Sequence, residues 1–265
     1  MSRVDLVAPA AGEVAEAAAR LGMAPPPAEP EADPELPRLR RLDDGLDVVL
    51  VGVAPDGALH EVRCHLRGDA LLTVRPAAGP PLDEPPAAPA GAARDLADVV
   101  EAVLTTLVGR AGELSDRVER LADRRERGDI ARIRAAVTPL RRVTLLQQDV
   151  IGRLASEDVV AADASARRRV RDSYGRAAQV VTELEAIREA LHDIAADRQN
   201  ELVGRLTVVA VVFLPLTFLT GFFGQNFPWL VDHIGGPWWF ASLGLVLPVA
   251  AVAALLALLR RGGWV

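Results

Sequence analysis

The sequence predicts an α+β domain with a small sheet and a long stalk helix, followed by two C-terminal transmembrane helices. Three observations carry that prediction. A short β-branched run, Leu46–Val53, is followed by two further apolar stretches, Val62–Leu66 and Ala70–Val74, with Arg67-Gly68-Asp69 as a turn between them. From Arg94 onward the apolar residues recur every three or four positions, the period of a helix face. Finally, two long apolar spans near the C-terminus are separated by only about ten residues, which leaves no room for an outer domain.

Composition excludes several classes. The chain has 265 residues, enough for one soluble domain plus a membrane hairpin, and half of them are hydrophobic. Net charge is −6, so no basic excess points to nucleic acid. All basic residues are Arg and none is Lys, which together with the abundance of Ala reads as genomic base bias. The single cysteine, Cys64, cannot form an internal disulfide and reads as a core residue of a strand. No basic segment followed by an apolar run opens the chain, so no cleavable signal peptide is expected.

Taken in order, residues 1–37 are rich in Ala, Pro and Glu and read as a mobile tail, with a short helix over Glu13–Leu21 as its one element. Residues 38–163 read as a reduced α/β domain whose sheet has three or four strands, with a Pro/Ala-rich linker over 76–93. A first helix carries Leu96, Val99, Val100, Val103, Leu104 and Leu107, then Leu114, Val118 and Leu121. Gly128-Asp129 marks a break. A second helix carries Ile130, Ile133, Val137, Leu140, Val143, Leu145 and Leu146, with Pro139 as a kink. The third begins near Ala164, with Val170, Tyr174, Ala177, Val181, Leu184, Ile187, Leu191 and Ile194 on its apolar face. Residues 164–205 form the stalk, and no proline interrupts Arg176–Leu214, so the helix is expected to run into the membrane. It would span about fifty residues, or about 75 Å.

The first membrane segment, residues 206–226, consists of an apolar span ending at Phe223 and the tripeptide Gly224-Gln225-Asn226. Residues 227–237 form an outer loop, 238–259 the second span and 260–265 a basic tail. Arg205 precedes the first span and Arg260-Arg261 follow the second, whereas the loop has no Lys or Arg, so both termini are expected to be cytoplasmic. Trp229, Trp238, Trp239 and Trp264 stand where interfacial aromatics belong.

Two spans per chain cannot surround an ion path, so a pore requires an oligomer. Val203, Leu206, Ala210, Leu214, Thr217 and Gly221 share one stripe of the first span. Small and mildly polar residues there suit a narrow lumen and equally suit ordinary helix packing. Polar amides at the helix end either cap it or, in a symmetric oligomer, form a ring of carbonyl oxygens. Such a ring can hold a hydrated divalent cation without stripping its water, which matters for Mg²⁺ because it dehydrates reluctantly.

The run Phe213-Leu214-Pro215-Leu216-Thr217-Phe218 before Gly224-Gln225-Asn226, with Asn200-Glu201 and Leu206 upstream and Arg260–Val265 downstream, resembles the CorA family of magnesium and divalent-cation transporters. That family's signature is Gly-Met-Asn at the same place. The resemblance covers residues 165–265 well and 40–160 more loosely. It implies a funnel-shaped homopentamer in the cell inner or plasma membrane. It also implies a selectivity mouth at Gly224, Gln225 and Asn226, with Asn226 contacting the ion, and a pore lined by Thr217, Leu214 and Leu206. The two leucines would act as hydrophobic constrictions and Glu189 as an acidic ring on the stalk. Its partners would be divalent cations, further copies of the chain and the lipid membrane, with no cofactor beyond the transported ion.

Three departures shape the alternatives. Gln225 stands where the signature has Met, as in the variable zinc-transporting branch exemplified by ZntB. The outer loop lacks the family's acidic segment, leaving Asp232 as its one acid with His233 beside it. Asp95, Asp98 and Glu101 read either as regulatory acids or as a solvated helix face. A Mg²⁺ channel therefore leads, ahead of a Zn²⁺, Co²⁺ or Ni²⁺ carrier and a non-conducting membrane scaffold. An enzyme is not expected. His60, His65, His192 and His233 are scattered, and the chain has no His-Glu-x-x-His, Walker loop or Gly-x-Ser-x-Gly turn.

Overall fold

The computed structural model describes residues 3–24, 36–43, 45–77, 79, 91–124, 130–224, 232–233 and 236–261. It divides into two units, Met1–His192 and Asp193–Val265, each taken by itself below.

The first unit is built on a five-stranded mixed sheet in the order β1-β5-β4-β3-β2. Its strands are β1 (Arg3–Val7), β2 (Arg38–Leu42), β3 (Gly45–Val53), β4 (Leu59–Arg67) and β5 (Ala70–Arg75). The N-terminal region therefore does not begin as a tail. Arg3–Val7 pairs in parallel with β5, Arg3 opposite Leu71 and Val7 opposite Arg75. Asp5 ties the two strands together, accepting from Thr73 Oγ1 at 2.7 Å and from Arg75 Nε at 3.0 Å. Val4 and Leu6 point to the other face, where helix α1 (Ala11–Arg20) and the turn after it cover Leu72 with Ala17, Ala18 and Met23. The expected count of three or four strands is likewise raised to five, because β2 is written in arginines, RLRRL, and hides its strand pattern.

β3 is buried almost throughout, and its register with β4 places Leu46 opposite Leu66 and Val48 opposite Cys64. Gly45 opens β3 because a Cβ there would meet the Leu66 carbonyl oxygen at 2.1 Å. Past Val49 the strand outruns β2, which leaves bare backbone donors. Helical side chains fill that gap. Val51 N–H donates to Gln147 Oε1 at 2.7 Å, and Val53 N–H donates to Thr106 Oγ1 at 2.9 Å. A buried amide left without a partner costs stability, so these two contacts complete the sheet.

The helical layer comprises α2 (Ala92–Arg124), α3 (Ile130–Leu154), α4 (Asp158–Ala162) and the start of α5 (Ala164–Phe223). Asp69, in the turn before β5, caps α2 by accepting from Ala92 N–H at 3.0 Å, so the helix begins inside the expected linker. Most of that linker, and the Gly128-Asp129 break, lie outside the described residues. On α2, Leu96, Val99, Val100, Val103, Leu104 and Leu107 are buried, as their spacing requires. Burying each Leu is worth roughly 2 kcal/mol. On α3 the expected Leu145 and Leu146 are exposed, and Thr144 and Gln147 take the buried places. On α5 Ser173 is buried and Tyr174 is exposed, the reverse of what hydrophobicity suggests. Tyr174 instead lies along α3, where the missing side chain of Gly152 admits its ring.

The second unit holds the rest of α5 and a second apolar helix in three parts. These are α6 (Pro237–Ala241), a π-helical turn (Ser242–Val246) and α7 (Leu247–Arg261). Both helices are long and apolar enough to cross a membrane, with 18-residue stretches of mean hydropathy 2.2 and 2.5. Almost none of that surface is buried within the chain. The π turn has a chemical cause. Pro248 has no N–H and its ring collides with the carbonyl one turn back, and widening the preceding turn relieves the collision.

Candidate functional site

The first unit supplies electrostatics more than a pocket. Asp47 and His65 face each other across β3 and β4, with His65 Nδ1 3.0 Å from Asp47 Oδ1. Burial opposes the Asp47 charge. His65, Arg38 and Arg40 outweigh it and hold the carboxyl below the usual carboxylate range. Cys64 is fully buried, and burial pushes its thiol up.

Of the three acids singled out near the start of α2, Asp95, Asp98 and Glu101, the first is buried. Asp98 and Glu101 do not form a free face. Arg169 of α5 bridges both, donating from Nη1 to Asp98 Oδ1 and from Nη2 to Glu101 Oε2, the latter at 2.7 Å. Sequence reading missed this pairing, because about seventy residues separate the partners. The one available signal was the seven-residue spacing of Arg169 and Arg176.

In the second unit, the stripe Val203, Leu206, Ala210, Leu214, Thr217 and Gly221 is exposed along its whole length. At 3.6 residues per turn these positions fall within an arc of about 80°. Leu214, Leu206 and Phe218 are the most exposed large apolar side chains of α5, at 71%, 69% and 68%. Phe218 stacks on Phe222, with ring centroids 6.2 Å apart.

The threonines are held by the helix itself. Thr217 Oγ1 donates to the Phe213 carbonyl at 2.8 Å and Thr207 Oγ1 to the Val203 carbonyl at 2.8 Å. Such back-bonding satisfies the hydroxyl proton where no water is available and turns the oxygen lone pairs outward as acceptors. A hydrated cation presents water hydrogens, so an outward Thr217 oxygen is the polarity it needs. Pro215, within the helix, cannot supply the N–H that would bond the Val211 carbonyl, which softens the helix beside Leu214.

At the helix end Gly224 N–H donates to the Thr220 carbonyl at 2.9 Å. A Cβ on Gly224 would stand 3.0 Å from that same oxygen, so a side chain there makes the helix end give by a few tenths of an ångström. Gln225 and Asn226 lie outside the described residues. Asp232 and His233 are exposed, as is Glu189, which lies in the first unit between buried Ile187 and Leu191. The structure thus brings Leu206, Leu214 and Thr217 together on one stripe that ends at Gly224. Among the described residues no group of three or more His, Cys, Asp or Glu side chains could hold a metal ion.

Residues 4–261 match the family described as CorA-like Mg²⁺ transporter protein. The chain belongs to that family. Solved structures agree on the fold. The complete CorA magnesium transporter from Methanocaldococcus jannaschii aligns with a TM-score of 0.64 at 17% identity, covering 99% of this chain and 91% of that one. The soluble domain of the same archaeal CorA gives 0.59 at 14% identity, covering 73% and 86%. The ZntB cytoplasmic domain from Vibrio parahaemolyticus gives 0.54 at 14% identity, covering 64% and 75%. This CorA-family chain is therefore a member of a family of divalent-cation transporters, with the mixed sheet, long helix and paired apolar helices of that fold.

Proposed function

We propose that this CorA-family protein is a passive channel for hydrated divalent cations, Mg²⁺ foremost, formed as a homopentamer in the cell inner or plasma membrane with both termini cytoplasmic. One observation carries the reading: the most exposed leucines of α5 and an outward Thr217 oxygen lie on one stripe that ends at Gly224. An exposed apolar stripe interrupted by a hydroxyl suits a lumen whose leucines gate by dewetting. Leu206 and Leu214 are the constrictions, Thr217 receives the hydrated ion, and Gly224-Gln225-Asn226 form the outer mouth, with Asn226 oxygens touching the ion's water. Glu189 adds an acidic ring on the stalk, and Asp232 with His233 supplies field at the outer loop. Membrane potential drives entry, supplying about 4.6 kcal/mol per 100 mV for a doubly charged ion.

Gln225 in place of the family's Met favours a second reading, a Zn²⁺, Co²⁺ or Ni²⁺ transporter. Flux into proteoliposomes, measured with Mg²⁺ against each competing metal, separates the two. Asn226→Ala abolishes uptake under either. Vesicles impermeable to every divalent metal leave the non-conducting scaffold.

A further inference from the structure

We propose that Arg169, backed by Arg94 and Arg176, is the fixed counter-ion of Asp98 and Glu101, so that the junction between α2 and the root of α5 stays closed without a bound divalent cation. The contacts form a ladder. Arg94 Nε donates to Asp163 Oδ2 at 2.7 Å, at the residue that caps α5. Arg169 spans Asp98 and Glu101. Arg176 reaches Glu101 Oε1 at 3.5 Å and Thr105 Oγ1 at 3.4 Å. Positions 94, 98, 101 and 105 form one stripe of α2, and their partners 163, 169 and 176 ascend α5 in the same order, so the two helices run in the same direction.

Chemistry gives the ladder its meaning. Two carboxylates one helical turn apart are the oxygen donors that a hard divalent ion seeks. Here both Glu101 oxygens and one Asp98 oxygen are taken by guanidinium groups. Arginine is always charged, and its planar fork reaches both acids at once, which a lysine ammonium cannot do. A divalent ion entering this site must displace a permanent positive charge tethered to the same chain. The Arg169 guanidinium is held charged even more firmly than usual, chiefly by its hydrogen bond to Glu101. The pairs are partly exposed, so each is worth little alone, and the network is what holds.

Amide hydrogen exchange on the full-length protein in nanodiscs tests it, following peptides from 94–105 and 163–177 in EDTA, in MgCl₂, and in KCl at matched ionic strength. The wild-type peptides exchange equally in all three. Arg169→Gln speeds their exchange about fivefold in EDTA, as expected for a partly exposed network, and MgCl₂ but not KCl slows it again. Arg169→Lys falls between the two. Adding Asp98→Asn and Glu101→Gln to Arg169→Gln abolishes the MgCl₂ response. If wild-type exchange slows in MgCl₂ beyond the KCl control, or Arg169→Gln exchanges like wild type in EDTA, the proposal is overturned. A chain that carried no ion would give the same exchange pattern, so this proposal and the channel fail separately.

Discussion

Gln147→Leu sets two opposing effects against each other at one atom pair. Gln147 and Val51 are both fully buried, and the Val51 N–H donates to Gln147 Oε1 at 2.7 Å. Leucine keeps most of the volume and removes the acceptor. The N–H then stays dry and unpaired, a loss of about 2 kcal/mol. Against this, Gln147 Nε2 is itself buried with no hydrogen-bond partner among the described residues, so its removal returns about 1 kcal/mol. The net expectation is a destabilisation of about 1 kcal/mol, or a fall in Tm of about 3 °C for a unit of this size. Circular dichroism of the full chain in detergent during thermal unfolding measures it. Thr138→Val is the control, since that exposed hydroxyl donates only to the Arg134 carbonyl of its own helix. It should lie within about 0.5 kcal/mol of wild type. A Gln147→Leu protein as stable as this control, or more so, would refute the claim that α3 completes the bare edge of β3.

Other perturbations have equally definite outcomes. Leu214→Asn makes the constriction polar and the pathway leak, so proteoliposome flux rises at low driving force, and flux equal to wild type contradicts the gating role. Asp47 has a depressed folded pKa, so the stability from its ionisation is present above the unfolded carboxylate value and is lost as pH falls through the folded one. Asp47→Asn therefore flattens the acid limb of the stability–pH profile below about pH 4, and an unchanged limb contradicts the assignment. Cys64, buried with its thiol raised, resists maleimide in the native protein and labels only as the first unit unfolds. Gly224→Ala presses its Cβ on the Thr220 carbonyl, so the helix end gives slightly and uptake in the flux assay falls without a change in the amount of protein in the membrane.

What the sequence revealed depended on how local the cause was. The two apolar helices were legible because roughly twenty consecutive apolar residues have few other uses. β3, β4 and β5 were legible from β-branched runs, and the stripe from Leu206 to Gly221 from helical spacing alone. β1 was not. Its two inward residues, Val4 and Leu6, are too few to signal a strand, and Asp5 makes sense only beside Thr73 and Arg75. β2 hid its strand character behind three arginines. The exchange of Tyr174 for Ser173 in the helical layer followed from packing against α3, which composition does not encode. The Arg169 bridge was invisible for the same reason: its partners lie on another helix, at i−71 and i−68.

The π turn at Ser242–Val246 carries a practical consequence for the second span. One residue beyond the α repeat is wound into that turn, so the angular phase of every side chain shifts by about 100° across it. Trp238 and Trp239 on one side and Val249 and Leu256 on the other cannot be placed on a single helical wheel. Cysteine-scanning or tryptophan-scanning data from this span will show two separate sinusoids, each regular, offset at Ser242–Val246.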